Sequence, residues 1–154
     1  MQHRHQFKAY FTAKIIGMLL TITCSQVWAD DASSAKPLAL RQIMQDMGKS
    51  MQVVADGISR EDWEMVAKVA PLIADHPQPP PLEKMRILKF VGAEAGKFKG
   101  HDEKTHQAAR ALEQAAVRSD GQSVISSFAA LQNSCLACHQ TFRKPFVEHF
   151  YGQR

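Results

Sequence analysis

Cysteine is scarce in this chain of 154 residues. There are three, at positions 24, 135 and 138. That number excludes a disulfide framework, which needs several paired cysteines. It also falls short of a four-cysteine zinc site. Long apolar runs are missing too. The longest, Ile15–Ile22, is too short to cross a bilayer core of about 30 Å, which takes about 20 apolar residues. No segment alternates apolar and polar residues in the manner of a strand, so a sheet is not expected. Basic excess is small once the N-terminus is set aside. Removing Arg4, Lys8 and Lys14 from the 19 basic residues leaves sixteen against 15 acidic ones. A nucleic-acid partner or a polybasic membrane role therefore has no support. Apolar residues make up 45% of the chain, which excludes a disordered protein and allows one domain with a real core.

The first 29 residues read as a secretory leader. A basic start is followed by the short apolar run, and Val27-Trp28-Ala29 offers small-residue cleavage before Asp30. Export to the periplasm follows, with no integral membrane segment after cleavage. A lipoprotein signal through Cys24 is the alternative, although Thr23 is larger than the residue normally found there. In either case the folded domain is expected over residues 30–154.

The mature chain reads as all-α. From Leu40, apolar residues recur at Met44, Met47, Met51, Val54 and Ile58, spacings of 4, 3, 4, 3 and 4 that make one amphipathic helix ending at Gly57. Ser59 suits the N-cap of a second helix through Trp63, Val66, Ala70 and Ile73, with Pro71 expected to kink or shorten it. The proline cluster from Pro77 to Pro81 marks a loop. Leu82–Phe90 suits a short helix. A long one is expected from about Lys99 to Arg118, with Phe98, His101, Thr105, Ala108, Leu112 and Ala115 on its stripe. The last helix carries Val124, Phe128, Leu131, Cys135, Cys138 and Phe142 on one face, and Pro145 should bend or end it, though Phe146–Tyr151 could extend it. Three patterned helices plus one interrupted helix predict an antiparallel four-helix bundle.

The chemistry is concentrated in Cys135-Leu136-Ala137-Cys138-His139. Two thiols three positions apart can add to two vinyl groups on one porphyrin edge. The next histidine can then ligate the iron from one side. Competing chemistries fit poorly. A thioredoxin-like dithiol needs its cysteines at a helix start in a βαβ setting, and these fall mid-helix. Structural zinc needs four ligands, and His101 and His106, five apart, do not share a helical face. One covalent haem c is the expected cofactor, with Cys135 and Cys138 as attachment points and His139 as axial ligand. No nucleophile or acid–base pair stands out, so an enzyme is not expected. His76, His101, His106 and His149 read as surface or satisfied residues, and Trp63 as core.

The same segment, continued by Phe142 three residues after the histidine and then Arg143, near the end of an exported helical chain, resembles the class II c-type cytochromes of the cytochrome c′ family. The resemblance spans about Pro37 to Phe150. It also covers the first helix, where Met44, Gly48 and Met51 keep the family's spacing of four and seven. It implies that Met44 stands at the distal face of the iron. In the low-spin branch that methionine is the sixth ligand, which implies an electron-transfer protein with His139/Met44 ligation and redox proteins as partners. In cytochrome c′ proper the position does not bind. The iron is then five-coordinate and takes nitric oxide or carbon monoxide. One departure is visible: Arg41 precedes Met44 by three residues where many members have four, and an arginine-set register would bring Gln45 to the iron instead. The apolar stripe favours Met44, with Met47 a weaker option and an ordinary core role open to all three methionines. Arg41 and Arg143 are either haem-pocket contacts or solvated charges. The resemblance also makes a homodimer through the first two helices an option.

Overall fold

A computed structural model describes Pro37–Gly152. The leader, its cleavage site and Cys24 lie outside the described residues. Six α-helices follow in order: α1 (Ala39–Ser59), α2 (Trp63–Ala74), α3 (Pro81–Val91), α4 (Ala95–Val117), α5 (Gly121–Cys138) and α6 (Lys144–Tyr151). A 3₁₀ turn, Gly92–Glu94, joins α3 to α4, and a π-helical turn, His139–Arg143, joins α5 to α6. There is no strand among the described residues, and none of the described helices is long and apolar enough to cross a membrane.

The four longest helices, α1, α2, α4 and α5, form the expected four-helix bundle. α2 packs against α1 and α4, and α4 packs against α2 and α5, while α1 and α5 touch only sparingly. The core between them holds Val54 of α1, Val66, Ala70 and Ile73 of α2, Ala109, Leu112 and Ala115 of α4, and Val124 and Leu131 of α5. Burying the Val, Leu and Ile side chains among them contributes roughly 1.5–3 kcal/mol each before entropy is counted. A second apolar cluster ties Leu38, Ile87 and Phe146 together with Phe90, Phe98 and Phe150, joining the start of α1 to α3 and α6.

Local chemistry sets the boundaries. α1 runs past Gly57 to Ser59, whose hydroxyl bonds back to the Ala55 carbonyl instead of capping α2. The N-cap of α2 is Asp62, whose carboxylate accepts the Met65 N–H at 3.0 Å. Gly57 is needed for closeness: a Cβ there would stand 3.0 Å from a Val66 methyl. Gly121 plays the same part against the Trp63 ring, 3.1 Å from where a Cβ would sit. Pro71 is accommodated inside α2, which ends three residues later at Ala74.

Candidate functional site

α5 begins at a firm cap. The Asp120 carboxylate accepts the Ser123 N–H at 3.1 Å and the Ser123 hydroxyl as well. The helix then carries Val124 and Leu131 into the core, and Cys135 packs against that same core, as Met47 and Met51 of α1 do. Cys138 closes the helix and His139 opens the π turn. The wider turn accommodates Pro145. Its ring lacks an N–H and would clash with the carbonyl four residues back in a regular helix, at Thr141. The turn is anchored by buried Phe142, which packs edge-on against Phe98 of α4 at 5.3 Å.

A haem c attachment asks for two reduced thiols and a neutral imidazole beside them, and this segment meets each requirement. Cys135 and Cys138 are free thiols. Burial raises the pKa of both, and Cys138, with Asp102 nearby adding to the effect, is pushed up to about 11. Partial desolvation of His139 and the positive charge of Arg143 lower the imidazole's pKa, favouring the neutral ligand form. The ring is nonetheless reachable from solvent. Leu136, between the cysteines, is 54% exposed, so the attachment segment presents an apolar face outward. On α4, His101 Nε2 is buried without a hydrogen-bond partner while its ring lies edge-on to Phe142. A polar edge of a bound group would satisfy such an atom.

The other residues singled out in the sequence fall in different places. Met47 and Met51 are partly buried against the core, whereas Met44 is 39% exposed and Ile43 takes the buried position beside it. The buried line of α1 therefore leaves the strict heptad stripe at Ile43 and Gly57, while Val54 keeps it. Gln45 is exposed. The Arg41 guanidinium lies over the Tyr151 ring, 5.4 Å from its centroid. Arg143 is an exposed member of the π turn. A groove of about 380 Å³ between α1 and α2, lined by Ile43, Met47, Pro71, Leu72 and His76, contains none of the Cys135–His139 residues.

Apart from His101, the other three histidines singled out in the sequence are exposed or hydrogen-bonded, as expected. His149 stacks on Phe90, with centroids 4.4 Å apart. His76 is not at the surface. It is 8% exposed and its Nε2 lies 3.1 Å from the Asp102 carboxylate, which also meets His106 Nε2 at 3.4 Å. The four-residue spacing of Asp102 and His106 was the visible signal, since it puts both on one face of a helix.

A four-helix bundle with Cys-x-x-Cys-His at the end of its last long helix defines a c-type haem cytochrome. Residues 36–143 match the family model described as Cytochrome C′, and the chain belongs to that family. A stretch of 63 residues is 41% identical to the cytochrome c′ of Pararhodospirillum photometricum, covering 41% of this chain and 50% of that protein. The chain thus spans about half the length of that curated relative. No solved structure gives a significant match. Family membership makes this a haem-binding protein with one covalent haem c and its iron.

Proposed function

We propose that Cys135 and Cys138 carry the haem through thioether bonds, that His139 is its axial ligand, and that the distal position of the iron stays open to a diatomic gas such as nitric oxide or carbon monoxide. Each thiol would add across one vinyl group, sulfur to one carbon and hydrogen to the other. When bound, the haem supplies one-electron exchange and, where an axial position is open, gas binding. The chain's own part is to hold the His139 ring, to wall the site with apolar side chains and to limit water.

The observation that carries the open position is Met44. An axial ligand is normally held in place by its surroundings, yet Met44 is 39% exposed and its neighbour Ile43 takes the packed position. Membership of the cytochrome c′ family supports the same reading. The second reading is a His139/Met44-ligated electron carrier. It rests on the Met44, Gly48 and Met51 spacing of the first helix. Both readings make the protein a binder or carrier, not an enzyme. Both place it in the periplasm after removal of residues 1–29, with redox proteins as transient partners and a homodimer as an option.

Attachment is tested by producing the protein with a c-type maturation system and comparing it with Cys135→Ala/Cys138→Ala. Wild type should keep one haem through acid–acetone extraction and denaturing electrophoresis. The double variant should lose it. Covalent haem on the double variant would contradict the assignment.

A further inference from the structure

We propose that His76, Asp102 and His106, none of them part of the Cys135–His139 segment, form a binding site for a divalent transition-metal ion of the zinc class. One ligand atom from each residue lies within 4.8 Å of the others. The two histidines come from different elements. His76 sits in the loop after α2, and Asp102 and His106 lie one turn apart on α4. Their rings stack at 4.8 Å with an interplanar angle of 23°.

The hydrogen bonds around the rings supply the argument. His76 Nδ1 faces the Pro77 carbonyl at 3.2 Å, and His106 Nδ1 faces the Ala74 carbonyl. A carbonyl oxygen only accepts, so both Nδ1 atoms carry the hydrogen. Each neutral ring then turns an Nε2 lone pair toward Asp102, whose ionised oxygens also only accept. In that form three sets of lone pairs converge. Protonating His76 alone would let its Nε2–H donate to Asp102, the contact that raises the His76 pKa, but it would leave the His106 Nε2 lone pair facing the carboxylate. A single divalent cation satisfies all three groups at once.

The arrangement also matches what a metal requires. Metal-bound histidines commonly donate the other ring N–H to a backbone carbonyl, which fixes the tautomer. Two imidazoles and one carboxylate suit zinc, with a fourth position left for water. Nε2–Oδ separations of 3.1 and 3.4 Å already approximate an edge of a zinc tetrahedron, about 3.3 Å for bonds of about 2.0 Å. The widest gap, up to 4.8 Å, must close by about 1.5 Å to reach that edge, which side-chain rotation can supply. The loop is held in place because the Arg110 guanidinium bonds both carboxylate oxygens of Asp75, the closer contacts being 2.5 and 2.6 Å. That pairing, with Glu113 at 3.0 Å, keeps the Arg110 guanidinium engaged. Asp102 and His106 side chains are 40% and 28% exposed, so an ion can reach them from solvent.

The test is calorimetric titration of the chelator-treated, haem-loaded protein with zinc chloride at neutral pH. Loaded haem keeps His139 and the two cysteines out of competition. The expected result is one zinc per chain, with affinity reduced at least tenfold in both His106→Gln and Asp102→Asn and unchanged in His149→Gln. Absence of saturable binding by the wild type would overturn the proposal. So would wild-type affinity in either site variant. Circular dichroism checks folding, and His106→Gln, whose ring is partly exposed, decides the matter if Asp102→Asn unfolds.

Discussion

Thr105 Oγ and Ser134 Oγ lie 3.0 Å apart, joining α4 to α5 immediately before Cys135. Thr105 is buried, and each hydroxyl also lies within reach of a carbonyl of its own helix, His101 O or Leu131 O, so one hydroxyl donates across the pair while the other bonds its carbonyl. The pair fixes how α4 sits against the attachment segment. Ser134→Ala should lower stability by about 1 kcal/mol, the usual net value of one hydrogen bond. Thermal denaturation of the haem-loaded protein measures it.

Glu83 on α3 reaches the free end of α1. Its two carboxylate oxygens accept the Ala39 and Leu40 N–H groups, each at 2.8 Å. α1 has no side-chain cap of its own, so these bonds replace one. Glu83→Ala should cost about 1–2 kcal/mol, the range of a lost N-cap. It should also speed amide hydrogen exchange in the first turn of α1 without changing exchange in α5. Unchanged exchange at Leu40 would show that the bonds do not form in solution.

Asp120 gives a prediction in pH. Its hydrogen bonds to the Ser123 hydroxyl and N–H hold its pKa below the ordinary carboxylate value. A carboxyl whose folded pKa lies below its unfolded value adds stability that is present above the unfolded value and lost as pH falls through the folded one. Asp120→Asn should therefore lower the melting temperature at pH 6, and the difference from wild type should shrink below about pH 4. A difference that stays constant down to pH 2 would contradict this.

Leu131 is fully buried at the centre of the core on α5. Leu131→Ala should cost about 2–5 kcal/mol, as large-to-small core changes do. Denaturant unfolding measures it.

The helical content and the attachment segment were legible in the sequence because both rest on local information. The stripe of α5 places Val124, Leu131 and Phe142 in buried positions, as periodicity predicts, and the Cys-x-x-Cys-His spacing needs no tertiary context. Boundaries were less legible where two residues compete. Ser59 and Asp62 can each cap α2, and Ser59 instead bonds within α1. Pro145 was expected to bend or end the last helix. The chain passes it by widening into a π turn and continuing as α6 over the stretch that could extend it; the π turn alone has no sequence signature. The aromatic cluster of α3 and α6 and the pairing of His76 with Asp102 were not legible, because they join segments far apart in the chain. For the same reason the heptad stripe could not tell that Ile43, and not Met44, takes the buried position on α1.

The central claim is one covalent haem whose distal position is open. The direct test is the visible spectrum of the reduced, haem-loaded protein before and after carbon monoxide, for wild type and for Met44→Leu. The account predicts a broad high-spin spectrum that shifts on adding the gas, alike in both proteins. A sharp low-spin spectrum unmoved by carbon monoxide in wild type, turning gas-sensitive in Met44→Leu, would contradict it and assign Met44 as the sixth ligand of an electron carrier.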